Sequence, residues 1–427
     1  MNQAVAFDRL SASARLAEDL EALTATGGRL VGSVSETLAR DWLQGRLQTI
    51  PFARPSEHRF GYSSWASFGS SLDLMTPGGT EPLPCHPLYW SAATATNGLE
   101  ANVIYLGRGT EADFQSMAHA IRAQIVVVRH EYPFSQTTIH RRFKYEQCLR
   151  AGAAGFIIVN SNPGDELVTG ACSGDSPNNI PALGVSFNSG TRLIAAGSSR
   201  ARMRIITARS EKTGVNLFAE IPGQTPEWVV LCAHYDGHDL AQSALDNATG
   251  VVAAMAIFES FAPFVGQLRR GLRLMLFTAE ETGLMGSRIY LHSVGSSEQR
   301  KIAVVINLDT IAGSPQLTCL TSGFDDLPRF VRQSCKAAGL GELAWHQPLM
   351  RNSDHYNFAQ CGIPAMRLVA GFDQPEAAVR FLLTEADQRE RVCSEELRHA
   401  TTTAGALVWS ALNWPGSIAA HKGPLSA

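Results

Sequence analysis

Several acidic residues and one histidine in the second half of the chain follow apolar runs or, for Asp246, open a predicted helix, and their types are those that bind a divalent metal. They are His234, Asp236, Asp246, Glu280, Glu281 and Asp309. A carboxylate beside a buried strand is costly unless a positive charge compensates it, and a divalent cation is the simplest compensation. A lone histidine or aspartate at a strand end is usually a cap or a loop residue, so it is the combination that predicts a metal site.

The apolar runs that precede these residues predict the strands of a sheet. The runs are VNLFAEI, WVVLCAHY, LRLMLFTAE, KIAVVINLD and IPAMRLVA, and helical segments near 246–260, 283–294, 326–338 and 388–412 alternate with them. Buried strands that alternate with helices favour an α/β sandwich with a mainly parallel mixed sheet. Ligands and catalytic groups gather at the carboxyl ends of such strands, so we expect the polar residues to converge there.

The first half of the chain has a different texture. Helical spacing at 7–24 and 34–49 predicts two helices, whereas residues 84–205 contain short apolar runs separated by turn-rich stretches such as NSNPGDE. We therefore predict that 1–83 is the N-terminal part of a catalytic domain and that 84–205 is an inserted strand-rich domain. Residues 206–427 are then the main part of the catalytic domain.

The bulk composition limits the partners. The 427 residues include 45% hydrophobic residues and carry a formal net charge of -3, so the chain can bury a large core but has no basic field for nucleic acid. The first residues lack the regions of a secretory signal, and no run of about 18 apolar residues predicts a membrane span. The eight cysteines include no C-x-x-C pair and indicate reduced thiols. We expect a cytoplasmic protein that acts on a small molecule, with no nucleic acid or membrane partner and with a homo-oligomer left open.

The motifs around the polar residues resemble those of the M28 family of co-catalytic zinc peptidases. The family's H-x-D is present as HYD, its D-N-x-x-G as DNATG and its S-D-H-x-x-F as SDHYNF, and AEE and INLD match two further motifs. The similarity to the catalytic core runs from His234 to Phe358, and residues 84–205 resemble the protease-associated domain that some members carry as an insertion. The resemblance implies the M28 type of α/β sandwich.

The resemblance also implies a role for each residue. The implied metal ligands are His234, Asp246, Glu281 and Asp309. Glu280 would be the general base, Asp236 would orient His234, and His355 would line the site without being the usual ligand. A bound metal lowers the pKa of water towards ~7, and the base takes the proton while the resulting hydroxide attacks an electrophilic carbon. The alternative role for Asp246 is a helix cap, because DNATG opens a predicted helix.

One ligand of the family is missing from this sequence. In the family a histidine of a short HT or HS segment, downstream of the S-D-H motif, binds the second metal. Alignment on Thr384 and Asp387 puts Leu383 in its place. The ligand set of the first metal is complete, and His355 is the alternative substitute at the second. We therefore expect one strongly bound divalent metal per chain, manganese or zinc, with the carboxylate-rich set tilting modestly towards manganese.

The sequence supports two enzyme hypotheses. The first is a hydrolase that uses a metal-bound hydroxide to break a carbon–nitrogen bond of a small molecule. It resembles the nitroanthranilate-type aminohydrolases of aromatic catabolism. An electron-poor ring such as that of 5-nitroanthranilate would hold the charge that a second metal otherwise stabilises. The alternative is an M28 aminopeptidase that releases N-terminal amino acids from peptides.

The sequence also bears on a third class of function and on the roles of three arginines. A catalytically inactive binding module is disfavoured, because it would not need to retain Glu280. Arg351, Arg367 and Arg380 flank the region of the missing ligand, and each could bind a substrate carboxylate through its planar guanidinium group or be structural.

Overall fold

The computed structural model describes residue 10 and residues 15–195 and 200–423. Its helices are α1 (Arg15–Thr24), α2 (Val34–Gln48), α3 (Glu111–Ser116), α4 (Ala118–Ile121), α5 (Arg141–Ala151), α6 (Phe187–Ala195), α7 (Thr249–Phe261), α8 (Met285–Ser293), α9 (Ser296–Gln299), α10 (Leu327–Ala337), α11 (His355–Gln360) and α12 (Ser394–Asn413). Both helices predicted near the start of the chain are found, although the first residues of the helix predicted at 7–24 lie outside the described residues.

The described residues also form β-strands. They are β1 (Arg54–Thr76), β2 (Gly79–Leu83), β3 (Cys85–Pro87), β4 (Leu99–Tyr105), β5 (Ile125–Arg129), β6 (Gly155–Val159), β7 (Ala182–Val185), β8 (Arg200–Ile221), β9 (Trp228–His234), β10 (Gly271–Phe277), β11 (Ile302–Leu308), β12 (Leu317–Leu320), β13 (Ala344–His346) and β14 (Ala365–Ala370). Each of the five apolar runs that predicted a strand overlaps one of them.

Contacts within the chain divide it into two compact units. The larger unit contains residues 1–61, 213–379 and 387–427, and the smaller unit contains residues 62–212 and 380–386. These units group residues by their contacts and do not by themselves define domain boundaries. The domain boundaries predicted from the sequence therefore stay a prediction.

The larger unit is built on a mixed sheet. Its strand order is β13-β12-β14-β11-β9-β10, followed by the last part of β8. The neighbours β10, β9, β11 and β14 are parallel to one another, whereas β12 is antiparallel to β14. Nearly all side chains of the parallel strands are buried, which explains why they are unbroken apolar runs in the sequence. The predicted α/β sandwich with a mainly parallel mixed sheet is confirmed.

Helix α7 forms part of the core of the larger unit. Every residue of this helix except Glu259 is buried, and it packs against α1, α12 and the strands β9, β10 and β11. By length and composition the stretch Ala244–Phe264 could cross a membrane, but 89% of its most apolar window is buried inside the protein. That burial is typical of a core helix, and the prediction of no membrane partner stays a prediction.

The smaller unit has its own sheet and its own core. Strands β4, β5, β6 and β7 are parallel, β3 is antiparallel to β7, and the first part of β8 is antiparallel to β4. Alternate residues of β5 enter different hydrophobic clusters: Ile125 and Val127 belong to one, and Val126 and Val128 to the other. This period of two is expected for a strand buried on both faces. The inserted strand-rich domain is confirmed.

Candidate metal centre

The predicted ligands lie at one edge of the sheet of the larger unit. His234 is the last residue of β9, and Asp309 directly follows β11. Glu280 and Glu281 follow shortly after β10, whose last residue Phe277 is in register with His234. Because β9, β10 and β11 are parallel, their carboxyl ends meet at the same edge and bring these side chains together.

Three of the predicted ligands form one compact group. The Nε2 atom of His234 lies 3.1 Å from Oδ1 of Asp246 and 3.6 Å from Oδ1 of Asp309. One ligand atom from each residue lies within 4.8 Å of the other two, and the described residues contain no second group of this kind. Metal–ligand distances of about 2.0–2.2 Å allow these atoms to share one ion.

Buried polar atoms at this edge lack hydrogen-bond partners. They are Nε2 of His234, Oδ1 of Asp246 and Oε1 of Glu281, each without a partner of good hydrogen-bond geometry among the described residues. Such atoms cost free energy unless a ligand satisfies them. A divalent cation would satisfy the first two directly, so the residues fit the metal that the sequence predicts. Glu281 lies outside the three-residue group.

The carboxylates of the site differ in their pKa values. Burial alone would raise the pKa of Asp309, but the charges of Arg367 and His234 outweigh burial and lower it below its ordinary value. Burial and then the charges of Asp246 and Glu280 raise the pKa of Glu281 well above its ordinary value. The site therefore contains one carboxylate that the chain itself keeps charged and others whose charge needs compensation.

Arg367 forms a buried ion pair with Asp309. Its Nη2 atom lies 3.2 Å from Oδ2 of Asp309, and its Nη1 atom donates a hydrogen bond to the carbonyl of Asn352 at 2.6 Å. The residue is 1% exposed. It therefore serves the candidate ligand and is not placed to bind a substrate carboxylate.

Asp236 connects the candidate histidine ligand to the candidate base. Nδ1 of His234 lies 3.2 Å from the carbonyl oxygen of Asp236 and 3.6 Å from its Oδ1. The same carboxylate accepts the main-chain N–H groups of Glu280 at 3.1 Å and Glu281 at 3.2 Å. The residue predicted to orient His234 thus also holds the main chain that carries both glutamates.

His355 and Leu383 lie outside the three-residue group. His355 begins α11 and is fully buried, and neither of its ring nitrogens has a hydrogen-bond partner in the described part of the chain. Burial and the charge of Arg367 lower its pKa to about 3, so the ring is neutral. Leu383 belongs to the smaller unit, where its carbonyl accepts the N–H of Thr169 at 2.8 Å. Its apolar side chain offers no ligand atom.

Asp246 lies in an irregular turn and not at the start of a helix. Its φ of -118° and ψ of 92° are non-helical, and α7 begins only at Thr249, without a side-chain cap. The helix-cap alternative for Asp246 is therefore wrong. The helix predicted near 246–260 is found, but it begins at Thr249, because Asp246 and Asn247 have non-helical φ and ψ.

Sequence reasoning missed side chains that hold the main chain on either side of the ligands. Asn247, noted only as part of the DNATG motif, accepts the N–H of Thr310 at 3.2 Å and donates to the carbonyl of Leu308 at 2.9 Å, so it brackets Asp309. Asp387, used only to align the missing histidine, contacts the main chain at Asp246. Their positions in the motifs were a signal that each could have a role.

Comparison with known protein families assigns both parts of the chain. Residues 216–408 match Peptidase family M28, and residues 91–193 match the PA domain. The resemblance to the M28 family, with a protease-associated insert, is confirmed.

Curated relatives are aminopeptidases. A probable leucine aminopeptidase 2 of Arthroderma benhamiae is 33% identical over 176 residues, which cover 40% of this chain and 34% of that protein. Aminopeptidase YwaD of Bacillus subtilis is 25% identical over 330 residues, which cover 75% of this chain and 69% of that protein. The match to the fungal relative thus spans about a third of that relative's length.

Solved structures share the fold over nearly the whole chain. A peptidase M28 precursor from Shewanella amazonensis SB2B has a TM-score of 0.82 at 22% identity, with 97% of this chain and 98% of that chain covered. BSAP, a zinc aminopeptidase from Bacillus subtilis, has a TM-score of 0.72 at 21% identity, with 97% and 96% covered. These likenesses concern the fold.

Proposed function

We propose, from the premise that the chain carries an M28 peptidase domain and a PA domain, that it is a metal-dependent aminopeptidase that releases N-terminal amino acids from peptides. The observation that carries this proposal is the compact group of His234, Asp246 and Asp309, with the segment of Glu280 held to Asp236. The names of the relatives support a peptide substrate, because both curated relatives described above are aminopeptidases.

The metal, Glu280 and His234 would have separate roles in the reaction. A divalent metal in this group would supply Lewis acidity and lower the pKa of water. Glu280 would take the proton of the attacking water and pass it to the leaving amine, and burial, which raises its pKa well above the ordinary value, suits a base that must also act as an acid. The contact of Nδ1 of His234 with the carbonyl of Asp236 favours the tautomer in which Nε2 is free to bind.

We propose one strongly bound metal per chain and zinc as the first candidate. Glu281 lies outside the three-residue group, and Leu383 stands where the family has its other histidine. Zinc is supported by the name of the Bacillus subtilis enzyme with the same fold, whereas manganese rests only on the preference of carboxylate oxygens. The two metals should therefore be compared side by side.

The hydrolysis of an electron-poor aromatic amine has no support among the relatives described above. That hypothesis was based on the missing second metal, because a site without this metal lacks the positive charge that would stabilise the charge developing on the substrate. The cytoplasmic location stays a proposal, which the eight free cysteines support.

The test compares the two substrate classes on one metal-loaded protein. Protein freed of metal and reloaded with zinc should cleave aminoacyl p-nitroanilides such as the leucine derivative, and it should release no ammonia from 5-nitroanthranilate. The same assays with manganese rank the two metals. Ammonia release from the nitroaromatic amine, with no cleavage of several aminoacyl anilides under either metal, would contradict the proposal.

A further inference from the structure

Asp387 is a fully buried carboxylate of the larger unit, and both of its oxygens face the turn that carries Asp246. Its Oδ1 accepts the N–H of Leu245 at 2.7 Å, and its Oδ2 accepts the N–H of Asp246 at 3.2 Å. We propose that Asp387 is a positioning residue of the metal centre, which sets the direction of the Asp246 carboxylate towards His234. The inference rests on the proposed metal site but not on the proposed substrate.

The turn that carries Asp246 could instead form the first turn of a helix, and this alternative explains why a positioning residue is needed. The sequence around Asp246 favours a helix that starts there, yet the observed φ and ψ of Asp246 and Asn247 are non-helical. A buried main-chain N–H must find an acceptor, and helical bonds do not serve residues in this conformation. Asp387 supplies acceptors for two successive N–H groups. It therefore stabilises the irregular turn against the helix, whose first turn would carry Asp246 in another direction.

A buried arginine holds the segment before the turn. The guanidinium of Arg29 donates hydrogen bonds to the carbonyls of Tyr235 at 2.8 Å, Gln242 at 2.7 Å and Ser243 at 2.8 Å. Ser243 has a left-handed φ of 50°. Burial lowers the pKa of Arg29 to about 10 although the charge of Asp387 opposes it, so the guanidinium is still charged at neutral pH. Its positive charge compensates Asp387 and allows a carboxylate to be buried here.

The shortest contacts of the two carboxylate oxygens of Asp387 are with main-chain N–H groups. His238 is fully buried, and its Nε2 atom lies 3.7 Å from Oδ2 of Asp387, which is too long for a direct hydrogen bond. The two shorter contacts of Asp387 are thus those with the N–H groups of Leu245 and Asp246. A change at Asp387 should act on the turn first.

The same arrangement occurs a second time in this site. Asp236 accepts two successive N–H groups, those of Glu280 and Glu281. Each of the two segments that bring carboxylates to the site from outside a strand end is therefore held by one buried aspartate. The recurrence supports a role in placing the carboxylates, beyond a role in folding.

The test is the metal affinity of Asp387→Asn, measured without substrate. An amide has one acceptor oxygen where the carboxylate has two, so one of the two N–H groups loses its partner. We expect zinc, titrated in competition with a chelator, to bind about 10- to 100-fold more weakly, which is the usual effect of removing a residue that supports a ligand. The visible absorption bands of the Co²⁺ form should also change, because they report the ligand geometry.

Asp19→Asn is the matched control. Asp19 is also buried in the larger unit, but it pairs with Arg46 at 3.1 Å. This variant should lose thermal stability and keep the native zinc affinity and the native Co²⁺ spectrum. A purely structural Asp387 would behave in the same way.

Native zinc affinity and a native Co²⁺ spectrum in folded Asp387→Asn would overturn the inference. Asp387→Glu decides the matter if the amide variant does not fold, because it keeps the charge beside Arg29 and displaces the acceptors by one methylene group. Native affinity in that variant would equally overturn the inference. If the native protein bound neither zinc nor manganese, the metal site and this inference would both fail. If zinc bound but no aminoacyl anilide were cleaved, only the proposed substrate would fail.

Discussion

Asp309 and Glu281 are both buried carboxylates at the same edge of one sheet, yet their surroundings differ. Asp309 has Nη2 of Arg367 at 3.2 Å and Nε2 of His234 at 3.6 Å, and its pKa is lowered by these charges against the effect of burial. Glu281 has a buried Oε1 without a hydrogen-bond partner among the described residues, and burial and neighbouring carboxylates raise its pKa. One carboxylate is compensated within the chain, and the other is not.

This difference shows which part of the site the chain organises by itself. A buried charge is tolerated only when it is paired or when it binds a cation. Arg367 pairs with Asp309 from one side and leaves its Oδ1 directed at His234. The Asp309 side is therefore organised before a metal binds, whereas Glu280 and Glu281 depend more strongly on the charge that a metal brings. The following substitutions test this comparison.

Replacement of His234 should have the largest effect. His234→Ala removes the only nitrogen of the three-residue group, so we expect nearly all zinc to be lost and hydrolysis to fall by more than about 10⁴-fold, since uncoordinated water has a pKa far above ~7. Elemental analysis and the aminoacyl anilide assay measure the two losses. His355→Ala is the control, because it removes a buried imidazole outside the group and should keep the zinc. Equal loss of zinc from both variants would make His355 a ligand.

Replacement of Glu280 should separate chemistry from metal binding. Glu280→Gln removes the proposed base, so kcat should fall by roughly 10²- to 10⁴-fold. The zinc content should stay native, because the proposed ligands are unchanged. Loss of zinc in parallel with activity would reassign Glu280 as a ligand.

Replacement of Arg367 tests the compensation of Asp309 directly. Arg367→Met leaves a buried carboxylate without its partner, and we expect the metal-free protein to lose about 3–5 kcal/mol of unfolding free energy. The loss should be smaller with zinc, because the metal then supplies the positive charge. Denaturant unfolding with and without zinc measures both values.

Arg270→Met provides the control for that experiment. Arg270 is equally buried, but its carboxylate partner at 3.0 Å is the partly exposed Glu227, outside the metal group, and it also donates to the carbonyls of Ala411 and Trp414. Its loss should cost the same free energy with and without zinc. If Arg367→Met also showed no dependence on zinc, the compensation described for Asp309 would not be the reason for the pair.

The sequence was sufficient for the parts of the fold that depend on local patterns. Continuous apolar runs identified β9, β10, β11 and β14, and the parallel order of β9 and β11 brought His234 and Asp309 together. The long strand β1 was not predicted, because its residues are polar or exposed over much of its length and show no continuous apolar run. The helix predicted near 388–412 begins only at Ser394, after a 3₁₀ turn and two extended residues.

The parts of the site that were missed depend on contacts between distant residues. Arg29 contacts Tyr235 across 206 positions of the chain, and Asp387 contacts Asp246 across 141 positions. No periodicity or motif length reports such contacts, since they arise only when the elements pack. The pairing of Arg367 with Asp309 is of the same kind: the sequence favoured a structural role for Arg367 over substrate binding but did not identify its partner.

The smallest effect is expected for Leu383→His, which tests the alignment behind the one-metal expectation. Leu383 has a φ of 59°, and histidine is among the residues that adopt this left-handed conformation more readily than most. Its carbonyl is held by the N–H of Thr169, so the main chain should keep its place in the variant. We expect the zinc content to rise above that of the native protein only at excess zinc, because a second ion would share carboxylates with the first. Leu382→His is the control, since Leu382 is a buried neighbour that the alignment does not place on the missing ligand. An unchanged zinc content in Leu383→His, or an equal rise in both variants, would contradict the alignment and remove the sequence-based reason to expect a single metal.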